Sequence, residues 1–216
     1  MRTLISFRVR EFLGRTELPT WWPLGRRAPR IVDRAGLADA FAAKTAFVSQ
    51  KCTMEYCRAR AGLNWSKLFK ENEFKTAMDH CRWEAYAAVL GDVAEVVEIL
   101  LRRSNWPHEA LPAYLAEAAR GALTRHDVPA IRKGLRAEVN AIESRLSRAL
   151  LGPPQEVHRV ALVNAKRVFD ALPIHTSLRL NDYELVQNSL RFLLCRVCED
   201  LEHEMDIDAL AADAGV

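Results

Sequence analysis

The sequence predicts an all-α protein: a single-domain bundle of about six to seven helices around one long central helix. Three observations indicate this. Glycine is scarce, with nine among 216 residues, whereas Ala, Leu, Glu and Arg abound, and this composition favours helix. No two segments alternate convincingly enough to pair as strands. Residues 73–103 also carry the longest unbroken helical pattern in the chain, so we take them as the central helix.

Two adjacent apolar stripes cover most of this segment at a helical repeat of about 100° per residue. The first stripe holds Phe74, Met78, Cys81, Ala85, Ala88, Val96 and Ile99, and the second holds Trp83, Tyr86, Leu90, Val93, Val97 and Leu101. A helix that is apolar over most of its circumference is enclosed by other helices. The polar residues share one narrow sector, which we expect at the surface. They are Glu73, Thr76, His80, Glu84, Glu95, Glu98 and Arg102.

Three charged residues interrupt the apolar arc. Asp92 falls in the middle of the first stripe, and Asp79 and Arg82 lie near the start of the helix. Burying a charge is costly unless the charge is paired or neutralised. These residues therefore indicate either a polar pocket inside the bundle or an internal salt bridge, and we favour the salt bridge because structural ion pairs are common.

The first helix of the body, residues 33–61, also carries charge on its inner face and ends at Gly62, a natural C-terminal cap. Lys51 and Glu55 are spaced to pair as i and i+4. If this helix lies against the central one, we expect Glu55 to meet Arg82, and Lys44 or Lys51 to meet Asp92. The candidate ligand-binding residues are therefore Lys44, Lys51, Glu55, Arg82 and Asp92.

Prolines and glycines divide the rest of the chain into further helices. We expect a short helical turn after Asn64, with Trp65, Leu68 and Phe69 packing inward. Longer helices should cover residues 112–126, 127–151, 154–172 and 182–205. The predicted organisation is a basic arm at 1–32, the bundle at 33–206 and a tail at 207–216, which we expect to fray.

Positive charge is concentrated at the N-terminus. Residues 1–34 contain eight arginines against three acidic residues, which is a net charge of +5, so the remainder is −2. Such asymmetry suggests an acidic partner or surface for the arm. Residues 1–14 favour a helix. Trp21 and Trp22 stand between prolines, and we interpret them as a plug fastening the arm to the body, with a lipid interface as the alternative.

The sequence contains no motif that names a reaction. A phosphate-binding loop, a nucleophile elbow and a paired-histidine zinc helix are all missing. Cys195 and Cys198 form a C-x-x-C pair, but it falls deep within a helix instead of at a helix N-terminus. We expect no metal and no cofactor, and we expect Cys52, Cys57, Cys81, Cys195 and Cys198 to be reduced. With no signal peptide and no apolar run of about 18 residues, we predict a cytoplasmic protein.

The preferred functional hypothesis is a non-enzymatic helical interaction module that binds a protein partner or forms a homo-oligomer, its Arg-rich arm contacting something acidic. One alternative is a small-molecule-binding bundle or an enzyme using the inward charges. Another is a peripheral membrane protein held through residues 1–24. We do not expect nucleic acid to be the partner, because the body is not basic. Whether the protein is an enzyme stays open.

Overall fold

The all-α fold class is confirmed. A computed structural model describes residues 30–104, 106–125 and 135–216, and within these ranges the chain is helical, without a strand. In chain order the helices are α1 (Arg34–Ala61), a short turn of helix (Trp65–Leu68), α2 (Asn72–Arg103), α3 (Leu111–Leu123), α4 (Leu135–Ala149), α5 (Val157–Ala171), α6 (Tyr183–Glu204) and α7 (Ile207–Ala214). Among the described residues, no helix has the length and apolar character needed to cross a bilayer.

Helix α2 lies in the middle of the bundle and contacts α1, α3, α4, α5 and α6. Every residue from 85 to 101 is buried, and Val93 and Asp92 have no exposed surface. The prediction that the two apolar stripes are enclosed by other helices is therefore confirmed. Burying almost a full circumference requires neighbours on all sides, and the five flanking helices supply them.

The predicted helices correspond to observed ones with small shifts at their ends. Helix α1 begins after Asp33, whose side chain accepts a hydrogen bond from the Gly36 amide at 2.7 Å. It ends at Gly62, where a φ of +52° suits a residue without a Cβ. The predictions for the arm, including Trp21 and Trp22, lie outside the described residues, as does the start of the helix predicted at 127–151.

The C-terminal segment differs from the expectation, because the predicted fraying tail forms helix α7. The Asp206 side chain caps its first turn by accepting from the Ala209 amide at 3.3 Å. Leu210 is completely buried, and the Tyr114 hydroxyl of α3 donates to Asp213 at 3.0 Å. This short helix is thus stabilised by its cap, by a buried leucine and by hydrogen bonds that Asp213 accepts from Tyr114 and from the Arg34 amide.

The chain entering α1 is fastened beside the end of α6. The Ile31 amide donates to the Glu204 carbonyl at 2.8 Å, and the Asp206 amide donates to the Ile31 carbonyl at 2.9 Å. Arg30 adds an ion pair with Asp206 at 3.0 Å. The first described residues and the junction between α6 and α7 therefore form one unit.

Candidate functional site

The polar sector of α2 does not lie at the surface along its whole length. Glu73, Thr76 and His80 are exposed, as expected, but Glu95 and Glu98 are buried. Helices α4 and α5, together with the loop between them, cover this C-terminal half of the sector. The surface seam that we predicted is thus a buried polar layer over Asp92, Glu95 and Glu98.

Arg145 of α4 is the centre of this layer. Its Nη1 lies 2.7 Å from Asp92 Oδ1, and its Nε lies 2.5 Å from Glu95 Oε2. Its Nη2 donates to the Val160 carbonyl of α5 at 3.2 Å. One guanidinium, with its fixed fork of donors, therefore joins three helices. We call Asp92, Glu95, Arg145, Gln155 and Asn164 the Asp92 network.

Two amide side chains complete the network. Asn164 Nδ2 of α5 donates to Asp92 Oδ1 at 2.9 Å and to the Ala88 carbonyl at 2.8 Å. Gln155, in the loop before α5, donates to Glu95 Oε1. The other oxygen of Asp92, Oδ2, is buried and has no hydrogen-bond partner among the described residues.

Gly91 makes room for the guanidinium. A Cβ at this position would lie 3.3 Å from Arg145 Nη1 and 3.6 Å from Asn164 Nδ2. Glycine in the interior of a helix costs about 1 kcal/mol relative to alanine. The close approach of Arg145 to α2 gives a structural reason for this residue.

Burial raises the pKa of Asp92 to about 6, although Arg145 and Asn164 act in the opposite direction. The network contains two carboxyl groups and one guanidinium, so one negative charge has no opposite charge within it. Removing charge from water disfavours the ionised form unless the pairing is complete. The unpartnered Oδ2 is the atom on which a proton would meet least competition from hydrogen bonds already present.

Two further ion pairs extend the layer along α2. Glu98 pairs with Arg102 at 3.1 Å, and Arg102 donates to the Gly152 carbonyl beyond the end of α4 at 2.7 Å. Toward the other end of α2, Arg167 of α5 bridges Glu84 and Glu138 at 2.9 Å each. Charged side chains therefore set how α4 and α5 lie on the central helix.

The structure corrects the pairing predicted between α1 and α2. Asp92 meets Arg145 and not a lysine, and Lys44 pairs with Asp200 and Glu204 of α6 at 3.0 and 2.9 Å. Arg82 pairs with Asp79, whose side chain is 74% exposed, at the long distance of 3.5 Å. The charges near the start of α2 face solvent because the neighbouring helices cover chiefly its later turns.

Lys51 and Glu55 pair with each other at 2.6 Å, as their spacing predicts. Their side chains are substantially exposed, so they do not point into the bundle. The five predicted ligand-binding residues thus fall in four places, and only Asp92 is fully enclosed. Helix α1 lies against α2, but these polar side chains occupy its flank facing α6 and its outer surface.

Sequence reasoning missed Arg145, Asn164 and Gln155. Arg145 stands among alternating charges on α4, which resemble a solvated face. One signal was available: Glu138 and Arg145 are seven residues apart, which places them on the same side of the helix.

The Asp92 network joins α2, α4 and α5 through charged and amide side chains. Its carboxyl groups are buried, and two open depressions of the described surface lie elsewhere. The first has a volume of 270 Å³ and is lined by Glu55, Arg58, Ala59 and Trp65. The second lies between α1, α3 and α7 and includes Arg34, Arg125 and Asp213.

The cysteines and the side chains that could bind a metal are the remaining candidates for chemistry among the described residues. All five cysteines are free, and all but Cys195 are buried. Burial raises the pKa of Cys52 and Cys57 to about 12, which suppresses the reactive thiolate. Within residues 30–104, 106–125 and 135–216, no three His, Cys, Asp or Glu side chains are grouped so that they could hold a metal ion.

Among the described residues, the Asp92 network is thus a set of buried charges that connects three helices. No protein-family model matches this chain, and no curated protein or solved structure matches it either.

Proposed function

We propose that this chain is a non-enzymatic helical interaction module whose Arg-rich N-terminal segment binds an acidic partner protein. One observation carries the proposal: the root of that segment is fixed to the body. Ile31 is hydrogen-bonded on both sides to the end of α6, and Arg30 pairs with Asp206. A basic segment that leaves a rigid body at a fixed point can present its charge in a defined direction.

Charge distribution supports the same proposal. Residues 1–34 carry a net charge of +5, whereas the rest of the chain is slightly acidic. A concentrated positive charge attracts acidic surfaces and speeds their association, most strongly at low ionic strength. In this proposal the body is a stable support that positions the basic segment, and its own buried charges pair with one another. A cytoplasmic location remains a prediction that agrees with five free thiols.

The test uses the full-length chain with Arg10, Arg26 and Arg27 replaced together by Gln. The matched control replaces the same arginines by Lys, which keeps the charge. Binding is measured by fluorescence anisotropy with labelled polyglutamate, with vesicles containing phosphatidylserine and with duplex DNA. We expect the wild type and the Lys variant to bind polyglutamate, and the Gln variant to bind it about tenfold more weakly, a loss of about 1.4 kcal/mol.

The other probes separate the alternatives. Binding confined to vesicles would replace the proposal by a peripheral membrane protein, and binding confined to DNA would replace it by a nucleic-acid-binding protein. If the wild type binds none of the three probes at low salt, the basic segment has no electrostatic partner of these kinds and the proposal is wrong.

A further inference from the structure

Helix α6 exposes large apolar side chains on the face turned away from the core. Leu185 is 59% exposed and Phe192 is 71% exposed. They are seven residues apart, so they lie one above the other on the same helix face. In the loop before α6, Leu178 and Leu180 are also largely exposed. Leu185 and Phe192 lie two helical turns apart with the exposed Asn188 between them, and large apolar side chains exposed on one helix face favour a surface that binds another segment.

The same helix ends in a strongly acidic segment. Residues 199–208 contain six acidic side chains and no lysine or arginine. Lys44 of α1 pairs with two of them, Asp200 and Glu204. Glu199, Glu202 and Asp208 remain exposed. We call Leu185, Phe192, Glu199 and Glu202 the α6 outer surface, which offers apolar contact at one end and negative charge at the other, with the exposed Arg196 between them.

A segment that fits this surface has to combine positive charge with large apolar side chains. Residues 1–29 of this chain do so: Arg26 and Arg27 lie close in sequence to Trp21 and Trp22. The segment also enters the body at the right place, because Ile31 is bonded to the end of α6 and Arg30 already pairs with Asp206. The basic segment and the acidic end of α6 therefore already form an ion pair at the point where the segment enters the body.

Chain length allows the contact. Phe192 is 13 residues before Met205, which corresponds to about 20 Å along the helix. Trp22 is nine residues before Ile31, and nine residues span at most about 30 Å. The tryptophan pair is thus within reach of Phe192, while Arg26 and Arg27 are within reach of the acidic end.

We propose that the α6 outer surface binds the chain's own N-terminal segment, residues 1–29, with Trp21 and Trp22 against Phe192 and the arginines against Glu199 and Glu202. This contact rests on the same basic segment as the proposed function and adds a regulation to it. An acidic partner has to compete with the acidic end of α6, and its binding releases the segment together with the apolar surface beneath it.

Trypsin cleavage of the full-length chain after Arg26 and Arg27 tests the contact, because cleavage follows the fraction of molecules in which the segment is released. The variants are Phe192→Ser and Glu202→Lys, and the control is Leu63→Ser. Leu63 is 99% exposed and follows α1 at the end opposite to the segment's root. Circular dichroism melting checks that each variant is folded, as expected for changes at exposed positions.

We expect Phe192→Ser to raise the cleavage rate about tenfold, the effect that losing one buried aromatic side chain has on such an equilibrium. Glu202→Lys should raise it by a smaller factor, and Leu63→Ser should leave it unchanged. Tenfold dilution should not alter the wild-type rate. Equal rates in all variants would overturn the proposal, and so would protection that disappears on dilution, which would assign the segment to a second copy of the chain.

This result is independent of the polyglutamate experiment, since the cleavage assay contains no partner. Slow cleavage in a protein that binds no acidic probe would keep the contact with α6 and reject the proposed function. Fast cleavage in a protein that does bind polyglutamate would keep the proposed function and reject the contact with α6.

Discussion

Replacing Asp92 by Asn should change how the stability of the protein depends on pH. The substitution keeps the shape of the side chain and the Oδ1 atom that accepts from Arg145 and Asn164. It removes a carboxyl group whose pKa is raised from 3.8 to about 6. Arg145 still pairs with Glu95, so the variant retains one guanidinium and one carboxyl group in the network.

The direction in which stability changes with pH follows from the direction in which the pKa of Asp92 is shifted. A carboxyl group with a higher pKa in the folded state binds its proton more tightly there than in the unfolded chain. Acidification through the interval from about 6 to 3.8 therefore stabilises the folded wild type. Between about pH 7.5 and about pH 4.5 this contribution amounts to about 2 kcal/mol, and Asp92→Asn lacks it.

The assay is urea denaturation followed by far-UV circular dichroism, with both proteins measured at each pH. All other titrating groups are common to the two proteins, so the difference in their free energies of unfolding isolates Asp92. We expect the wild type to gain about 2 kcal/mol relative to the variant at the lower pH. A difference that stays constant, or that moves toward the variant, would refute our account of Asp92. The uncharged control Leu63→Ala should differ from the wild type by the same amount at every pH.

Three substitutions test the packing. Gly121→Ala places a Cβ 2.9 Å from that of Ala38 on α1, and we expect a lower melting temperature that Ala38→Gly partly restores, from strain of about 1–3 kcal/mol. Gly91→Ala should lower the free energy of unfolding in urea despite the better helix propensity of alanine, because Arg145 is held on three sides and cannot move away. Leu210→Ala should cost about 2–5 kcal/mol and speed amide exchange throughout α7; fast exchange of α7 in the wild type would show instead that this helix unfolds independently.

The central helix was predictable because the apolar pattern that defines it lies within one segment of the chain. Two apolar stripes on α2 require neighbours, whichever helices those are, and so the burial of Val93 and Asp92 follows from the wheel alone. The breaks at Gly62 and around Pro153 have the same local character. Helix α7 was missed because its stability comes from Leu210 and Asp213 meeting partners far away in the chain.

Partners of the buried charges were not predictable in this way. The pattern shows that Asp92 needs a partner but not which helix provides it. Arg145 lies 53 positions further along, and Lys44 reaches Glu204 across 160 positions. Choosing between them requires knowing which helices are adjacent and in what register. A charged helix face considered alone is typical of a solvated surface, and for that reason the pattern of α4 does not single out Arg145.

The pairing of Ile31 with the junction between α6 and α7 brings the first described residues next to the C-terminal helix. The Arg34 amide donates to Asp213 Oδ2 at 3.1 Å, which joins the first turn of α1 to the last turn of α7. Proteins with adjacent ends often tolerate circular permutation. A short linker from residue 216 to residue 30, with the chain reopened beside Leu63, should thus preserve the contacts among the described helices, although it leaves out residues 1–29 and so any contact that they make with α6.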